Sequence, residues 1–390
     1  MYDIVIAGDF FPGRDQEAYN PFSEEMTQFF RESDYVVLNL EAPLTDRGEP
    51  ISKTGPNLRM NPGFAKVLKE SGVDCVCLAN NHIRDFGDVG LEDTIKHCQE
   101  AGLDIVGGGV NSEEARKPLI KEIGGQKIAF LNHCEREFSI AGKNKAGANP
   151  FDTIQVYYDI AALKDKVDKT IVIYHGGLEH QHLPTPEMVK AFRYMIDLGA
   201  DAIAAHHMHV YSGYEVYKGK PIYYGLGNFF FKLNVKNKEG WFKGLTLKLS
   251  IGADSITGTC YPTLIKTNMT SVDFVDRSSH GDIDRHMCEI NELIQNPELF
   301  AKYWEEKYLS IGDKTIRVLL AKSRNHSRLM KVLGVKPRLS PHRLNIFLNT
   351  VRCETHRAKL EDILEQRQPE KSDFFHIKSL YSILYVLGKG

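Results

Sequence analysis

Nowhere does this sequence string together the roughly 18 consecutive apolar residues that a membrane-spanning helix needs, so no span is expected. A secretory leader is not expected either. The start, Met1-Tyr-Asp-Ile-Val-Ile-Ala-Gly, has no basic region, and its apolar run is short and broken by Asp9. Cysteine is scarce, with seven residues, an odd number, and no CxxC pair. Most sit in apolar runs such as Cys75-Val-Cys77, which argues against a disulfide framework and for reduced core thiols in a reducing cytoplasm. An excess of one charge is missing too: the formal net charge of -2 gives no overall bias toward nucleic acid or an anionic membrane. No internal repeat or low-complexity segment is evident. The glycine triplet Gly107-Gly108-Gly109 lacks the GxGxxG and GxxxxGK[ST] spacings, so it reads as a tight strand-to-helix turn rather than a phosphate loop.

What remains is an ordinary globular composition, 42% apolar and 26% charged over 390 residues, enough for two domains or one large domain with an appendage. Short β-branched runs alternate with helical spacing through the first two hundred residues. Strands are expected at Asp3 to Ala7, Tyr35 to Leu38, Asp74 to Ala79, Asp104 to Val106, Thr170 to Tyr174 and Asp201 to Ala205. Helices are expected at Phe22 to Arg31, Pro62 to Ser71, Leu91 to Ala101 and Pro186 to Leu198, several of them stopped by glycine. Leu119 to Ile123 and Lys127 to Leu131 flank Gly124-Gly125 as a hairpin, and residues 136 to 155 read as a polar surface loop. From Pro221 the β runs Ile222 to Tyr224, Phe229 to Phe231, Leu245 to Ile251 and Thr257 to Tyr261 follow one another without helices, which predicts antiparallel pairing. Beyond about residue 275 the pattern is helical. The expected division is residues 1–270, a catalytic α/β domain, and 271–390, a helical extension anchored through Phe300 and Trp304.

Between Lys314 and Lys359 stand twelve basic residues, at 314, 317, 322, 324, 328, 331, 336, 338, 343, 352, 357 and 359, against one acid, Glu354. A solvated helical face accounts for them. The sharper reading is a dock for an anionic polymer or a peripheral contact with a membrane surface.

The chemistry gathers where strands end. His206-His207-Met208-His209 closes the run Asp201 to Ala205, and in an extended segment His207 and His209 should share one face while His206 points to the other. Asp9, Glu41, Asn81 with His82, and His175 end the other strands. Parallel sheets bring such loops together at their carboxyl edge. Carboxylate, carboxamide and imidazole, with no cysteine among them, suit a divalent transition-metal centre rather than a structural zinc site.

These residues carry a family resemblance. Gly8-Asp9, Asn39-Leu40-Glu41, Ala79-Asn80-Asn81-His82 with Asp85 and Gly87, His175-x-Gly177-x-Glu179, His206-His207-x-His209 and Gly225-Leu-Gly-Asn228-Phe229 resemble the CapA family over about residues 1 to 265. That family is linked to capsule and poly-γ-glutamate synthesis and belongs to the calcineurin-like metallophosphoesterase superfamily, so the resemblance implies an α/β/β/α sandwich. It also implies two divalent ions, Mn, Fe or Zn. Asp9 and His209 would hold one, Asn81, His175 and His207 the other, with Glu41 between them and His82 as acid or transition-state stabiliser. Two departures matter. Phe11 stands where the superfamily's Asp-x-His pattern has His, and Glu41 replaces a shorter bridging Asp, so the first ion has one ligand fewer.

A carboxylate-bridged ion pair activates water and neutralises charge on an attacked centre. Hydrolysis of a phosphoester follows, with Arg14, Lys53 and Arg59 as anion clamps and a phosphorylated or polyanionic substrate, related to polyglutamate or polysaccharide, as partner. No specific nucleic acid is expected. The same centre could polarise a carbonyl for amide or peptide chemistry, γ-glutamyl transfer, hydrolysis or epimerisation, with Glu179, His180 or His133 as base. Glu179 and His180 could equally support His175. A rival of another class is a non-catalytic accessory protein that binds the polymer.

Overall fold

The computed structural model describes residues 1–14, 16–233, 240–320 and 341–357. Its framework is two twisted sheets packed face to face. In the first, the strands Tyr2–Phe11, Tyr35–Leu40, Cys75–Cys77 and Asp104–Val106 run parallel in chain order, and Lys243–Ile251, Ile256–Ile265 and Val272–Phe274 extend the sheet antiparallel beyond Tyr2–Phe11. In the second, Gln126–Cys134, Lys169–His175, Ala202–His206 and Lys220–Tyr223 are parallel, with Leu119–Ile123 and Tyr214–Tyr217 as antiparallel edges.

Alternation along each strand divides the apolar side chains between layers. Ile4, Ile6 and Val37 of the first sheet face Ile128, Phe130, Ile171 and Ile173 of the second and form the central core. The intervening residues Val5 and Leu38 face outward onto Met26, Phe30, Phe64 and Leu68. On the far side, Leu131, Val172 and Ala205 meet Phe192, Met195 and Trp304. Both faces of the strands are thus covered, which is why they read as apolar runs rather than as alternating ones. The result is the expected α/β/β/α sandwich.

Local signals hold at the helix ends. Ser23 accepts from the Met26 amide to cap Glu24–Arg31. Pro186–Leu198 starts with proline behind the cap Thr185 and stops at Gly199, whose φ is 121°. Gly107 needs to be glycine for contact rather than phosphate binding, since a Cβ there would lie 2.1 Å from Asn132 Oδ1.

Several expectations are corrected. The chain does not turn simply antiparallel at Pro221. Lys220–Tyr223 pairs parallel with Ala202–His206, and Asn228–Phe231 pairs parallel with Tyr2–Phe11. Residues 136 to 155 are not a solvated loop: Gly147–Ala148 pairs with Gly108–Gly109, Ser139 and Asn149 are buried, and Asp152 caps the helix Thr153–Ala161. Tyr214–Tyr217 and Val272–Phe274 are strands the hydrophobic pattern did not reveal.

The helices His280–Gln295 and Pro297–Leu320 pack on the second sheet. Phe300 is buried, and Trp304, only 1% exposed, donates its indole N–H to the Pro184 carbonyl at 3.0 Å. No helix among the described residues is long and apolar enough to cross a membrane. Most of the basic stretch, residues 322, 324, 328, 331, 336, 338 and 359, lies outside the described residues. Trp304→Ala should cost about 3–5 kcal/mol, the usual range for truncating a buried aromatic. Urea unfolding followed by circular dichroism measures it, and a loss near zero would mean that these helices are not anchored through this ring.

Candidate metal centre

Both sheets present their carboxyl ends at one edge. His206, the last residue of its strand, reaches across the core to the Ala7 carbonyl, with Nε2 at 3.0 Å, and so ties the two sheets together just behind that edge. Asp9 lies within its strand rather than beyond its end. A register shift after it, against Asn228 and Phe230, marks a bulge that re-aims its carboxylate. The same close approach requires Gly8, where a Cβ would fall 2.1 Å from the Gly227 carbonyl, the oxygen that accepts from the Asp9 amide at 3.0 Å.

Glu41 follows Leu40 directly, and its amide donates to the Phe10 carbonyl at 3.1 Å. Asn80 braces the next loop by donating to the Leu40 carbonyl at 2.8 Å and accepting from the His82 amide at 3.1 Å. The extended geometry expected for the triple histidine fails, because the strand stops at His206. His207 and His209 have φ of 89° and 58°, left-handed conformations that cost a non-glycine residue about 1–3 kcal/mol each. Their rings nevertheless turn to the same cluster.

Two donor sets share Glu41. In one, His175 Nε2 lies 3.0 Å from Asn81 Oδ1, 3.1 Å from His207 Nδ1 and 3.7 Å from Glu41 Oε1. In the other, His209 Nε2 is 3.7 Å from the same Glu41 Oε1, and its Nδ1 is 3.6 Å from Asp9 Oδ2. Glu41, His175 and His207 form one potential chelating triad, and Asp9, Glu41 and His209 another. Asn228 Oδ1, 2.9 Å from His209 Nδ1, fixes the tautomer whose Nε2 lone pair faces Glu41. Asn39 donates to Asp9 Oδ1 at 2.7 Å, and the His207 amide donates to Asp9 Oδ2 at 3.1 Å.

Glu41 gives the test of fit. It is fully buried, and neither carboxylate oxygen has a hydrogen-bond partner. Burial first, and then the Asp9 carboxylate, push its carboxyl well above the usual range. An isolated buried carboxylate costs several kcal/mol, so it must take up either a proton or a cation. Burial, aided by the neighbouring imidazoles, pushes His175 well down, and burial lowers His207, which leaves ring nitrogens with free lone pairs. This donor set fits divalent ions.

Around the centre, His82 Nδ1 lies 2.7 Å from Asp85 Oδ2. Lys53, 3% exposed, donates to the other oxygen of Asp85 and sits 3.0 Å from the same imidazole nitrogen. Burial and Lys53 push His82 down. Arg59 and Arg14 gather on the ring of Phe86 in the His82 loop, at 5.0 and 5.9 Å. His180, left-handed with φ of 61°, stacks on His209 at 6.1 Å, and its Nε2 is 3.6 Å from Glu179 Oε2. Burial raises the Glu179 carboxyl, but the imidazoles of His207 and His209 more than reverse this and hold it below the ordinary range. His133 does not join them. It points into the opposite layer, 2.9 Å from Asn149 and edge-on to Phe151. Asn39, Asp85, Glu137 and Asn228 were missed as parts of the site. For Asn39, Asp85 and Asn228 the signal was present, since all three stand inside the family motifs.

Fold and site together define a class, a two-sheet α/β sandwich whose carboxyl edge carries an oxygen and nitrogen donor set for divalent cations. A family model described as "Bacterial capsule synthesis protein PGA_cap" matches residues 3–233, more than half of the sequence, and the chain belongs to that family. It is 31% identical over 253 residues to "Capsule biosynthesis protein CapA" of Bacillus anthracis, an alignment covering 61% of this chain and 60% of that protein. To "PGA biosynthesis protein CapA" of Bacillus subtilis (strain 168) it is 33% identical over 253 residues, 61% of this chain and 65% of that one. The chain therefore spans less than two thirds of the length of these relatives. Among solved structures, 5'-nucleotidase from Candida albicans SC5314 superposes on 66% of this chain and 51% of its own, at 11% identity and a TM-score of 0.40. So loose a likeness carries no functional argument.

The raised Glu41 carboxyl sets a signed expectation for protein stripped of metal. A group whose folded pKa is raised contributes stability below its unfolded value, about 4.3, and loses it as pH rises through the folded value. Glu41→Gln should therefore raise the Tm of the stripped protein above neutral pH, and should lose the stabilisation that added Mn2+ gives the parent. Thermal melts with and without the ion check both signs. A lower Tm for the stripped variant would contradict the orphaned carboxylate.

Proposed function

We propose that this chain is a metal-dependent hydrolase of the phosphoesterase type, acting in capsule or poly-γ-glutamate synthesis and working in the cytoplasm. The observation that carries the reading is Glu41, a buried carboxylate without partners between two imidazole-bearing donor sets. Asn81, His175 and His207 would hold one ion with Glu41, and Asp9 and His209 the other. Manganese, iron and zinc all suit these donors. Two divalent ions there would supply an acidified water and neutralise charge on the attacked centre.

The remaining steps belong to the chain. Asn39 and Asn228 hold Asp9 and His209 in place. Asp85 accepts from Nδ1 of His82, which leaves Nε2 as the nitrogen that would take up a proton and, as imidazolium, deliver it to a leaving group. Lys53 pairs with Asp85 and, after burial, pushes the His82 imidazole down, while Arg14 and Arg59, on the face of Phe86, draw an anionic substrate to that side.

A second reading is favoured by two acidic side chains. Glu137 and Glu179 each act electrostatically on His207, and on that side they would repel a phosphate dianion. They suit a substrate carrying an amino group, such as a γ-glutamyl unit, with Glu179 or His180 as base for amide hydrolysis, transfer or epimerisation. A non-catalytic polymer-binding accessory role is the remaining alternative, and it predicts bound metal without turnover.

Protein loaded with Mn2+, Fe2+ or Zn2+ and offered phosphodiesters and γ-glutamyl peptides separates the three. His207→Ala should abolish tight metal binding and turnover together, whereas His209→Ala should retain one ion per chain by elemental analysis. His82→Gln should keep its ions yet lose about 10²–10⁴-fold in kcat. Equal loss of both ions from either histidine substitution would sink the ligand assignment. Turnover of no substrate by fully loaded protein would favour the accessory role.

A further inference from the structure

A different donor set forms where the last described segment meets the loop after Gln126–Cys134. The helix Pro341–Arg352 ends at Cys353, and the residues that follow lie against that loop. The Cys353 thiol donates to Glu135 Oε2 at 3.0 Å, the Thr355 hydroxyl donates to the other Glu135 oxygen, and Glu354 accepts from the Arg136 amide at 2.8 Å. Beside these contacts a Glu137 carboxylate oxygen, the Cys353 sulfur and a His356 ring nitrogen lie within 4.8 Å of one another.

We propose that Glu137, Cys353 and His356 form a third cation site, of the zinc class, which pins the C-terminal segment to the rim of the main centre. Thiolate, imidazole and carboxylate together are the donor mixture that a tetrahedral zinc-class ion takes, with one position left for water or substrate. Ligand atoms about 2.0–2.3 Å from such an ion stand roughly 3–4 Å apart, so small side-chain shifts close the observed spread. The surroundings also call for positive charge. Cys353 is 1% exposed, and three carboxyls, those of Glu135, Glu137 and Glu354, crowd its sulfur and one another. Arg136 is divided between Asp152 at 2.8 Å and Glu354 at 3.4 Å, while Arg357 acts on Glu354 and Lys53 on Glu137. A divalent ion would offset this crowding and hold the thiol as thiolate.

The position gives the site a consequence. Glu137 also lies beside the side chain of Asn81, a proposed ligand of the main centre. An ion held by Glu137 would therefore couple the docking of residues 353–357 to the placement of Asn81. The inference does not need the main centre to be catalytic, and its test is spectroscopic rather than enzymatic.

The main centre contains no sulfur, so a sulfur-to-cobalt charge-transfer band in Co2+-loaded protein reports the third site alone. Full-length protein carrying Cys288→Ser, which removes an exposed thiol, should show that band at saturating Co2+. Adding Cys353→Ser should abolish it and lower the zinc content by one ion per chain, and His356→Ala should weaken it, with the far-ultraviolet circular dichroism unchanged. No band at saturation, or a band that survives Cys353→Ser, overturns the proposal. Should the Cys353 variant fail to fold, alkylation of the parent with iodoacetamide, mapped by mass spectrometry, decides instead. Zn2+ is expected to protect Cys353, and equal labelling with and without the ion overturns the site.

Discussion

A carboxylate sealed from water and from every hydrogen-bond donor cannot stay ionised without a cation, and the carboxyl edge of this protein is arranged around that constraint. Glu41 is placed by the backbone, through its amide on Phe10, rather than by a hydrogen bond to its own oxygens. The surrounding groups are fully engaged on their far sides. Asn39 and the His207 amide hold Asp9, and Asn228 holds His209, while their near sides face the carboxylate. A hydrogen-bond donor on Glu41 would have been the cheaper way to bury it, so its absence beside the well-supported Asp9 and His209 is what makes this position a candidate cation site.

That arrangement depends on two parallel sheets ending at the same edge. Candidate donor atoms from five separate segments must fall within a few ångströms, and the bond between His206 and the Ala7 carbonyl helps to fix the two sheets relative to each other. Further out the constraint appears as strain. Left-handed His207 and His209 together cost about 2–6 kcal/mol, a large part of a domain's net stability of about 5–15 kcal/mol. Extended geometry would relieve it, but would carry the rings along the strand instead of folding both back over Glu41. Strain of this size persists where the surrounding packing dictates the conformation, and here Trp241 and Phe231 close on the His209 ring at 4.9 and 4.7 Å.

Much of this was legible from the sequence, because helix ends, buried strands and strand-end polar residues are local signals. Pro186 and Gly199 bound their helix as read. What failed was non-local or depended on a single backbone angle. The bulge at Asp9 and the left-handed histidines brought the expected residues together by a route that period-two reasoning does not contain. His133 lies on the other face of its strand from Asn132, which contacts the Ala79 amide at 2.8 Å, and strand-end position alone does not reveal which of the two faces the edge. Lys53 read as a free anion clamp because nothing in the intervening residues announces its pairing with Asp85. Glu137 and Cys353 lie too far apart in the chain for any spacing rule to join them.

The charges around the centre are segregated, and this bears on substrate. On the His82 side stand Arg59 and Arg14, with Phe86 as a shared platform, while Lys53 is paired with Asp85. Near His207 stand Glu137 and Glu179. Two unit charges 4 Å apart near a protein surface interact by about 4 kcal/mol at an effective dielectric constant of 20, roughly a thousandfold in binding. A substrate with one charge of each sign, correctly spaced, gains on both sides, whereas a phosphate dianion gains on one and loses on the other unless bound cations screen it. In the proposed reading, the balance between phosphoester and γ-glutamyl chemistry therefore rests on how far two ions at Glu41 would offset Glu137 and Glu179. With both positions filled, four positive charges stand against Asp9, Glu41, Glu137 and Glu179 and roughly cancel, so that Arg14 and Arg59 tip the balance toward an anion. With one filled the acids prevail and favour an amino group.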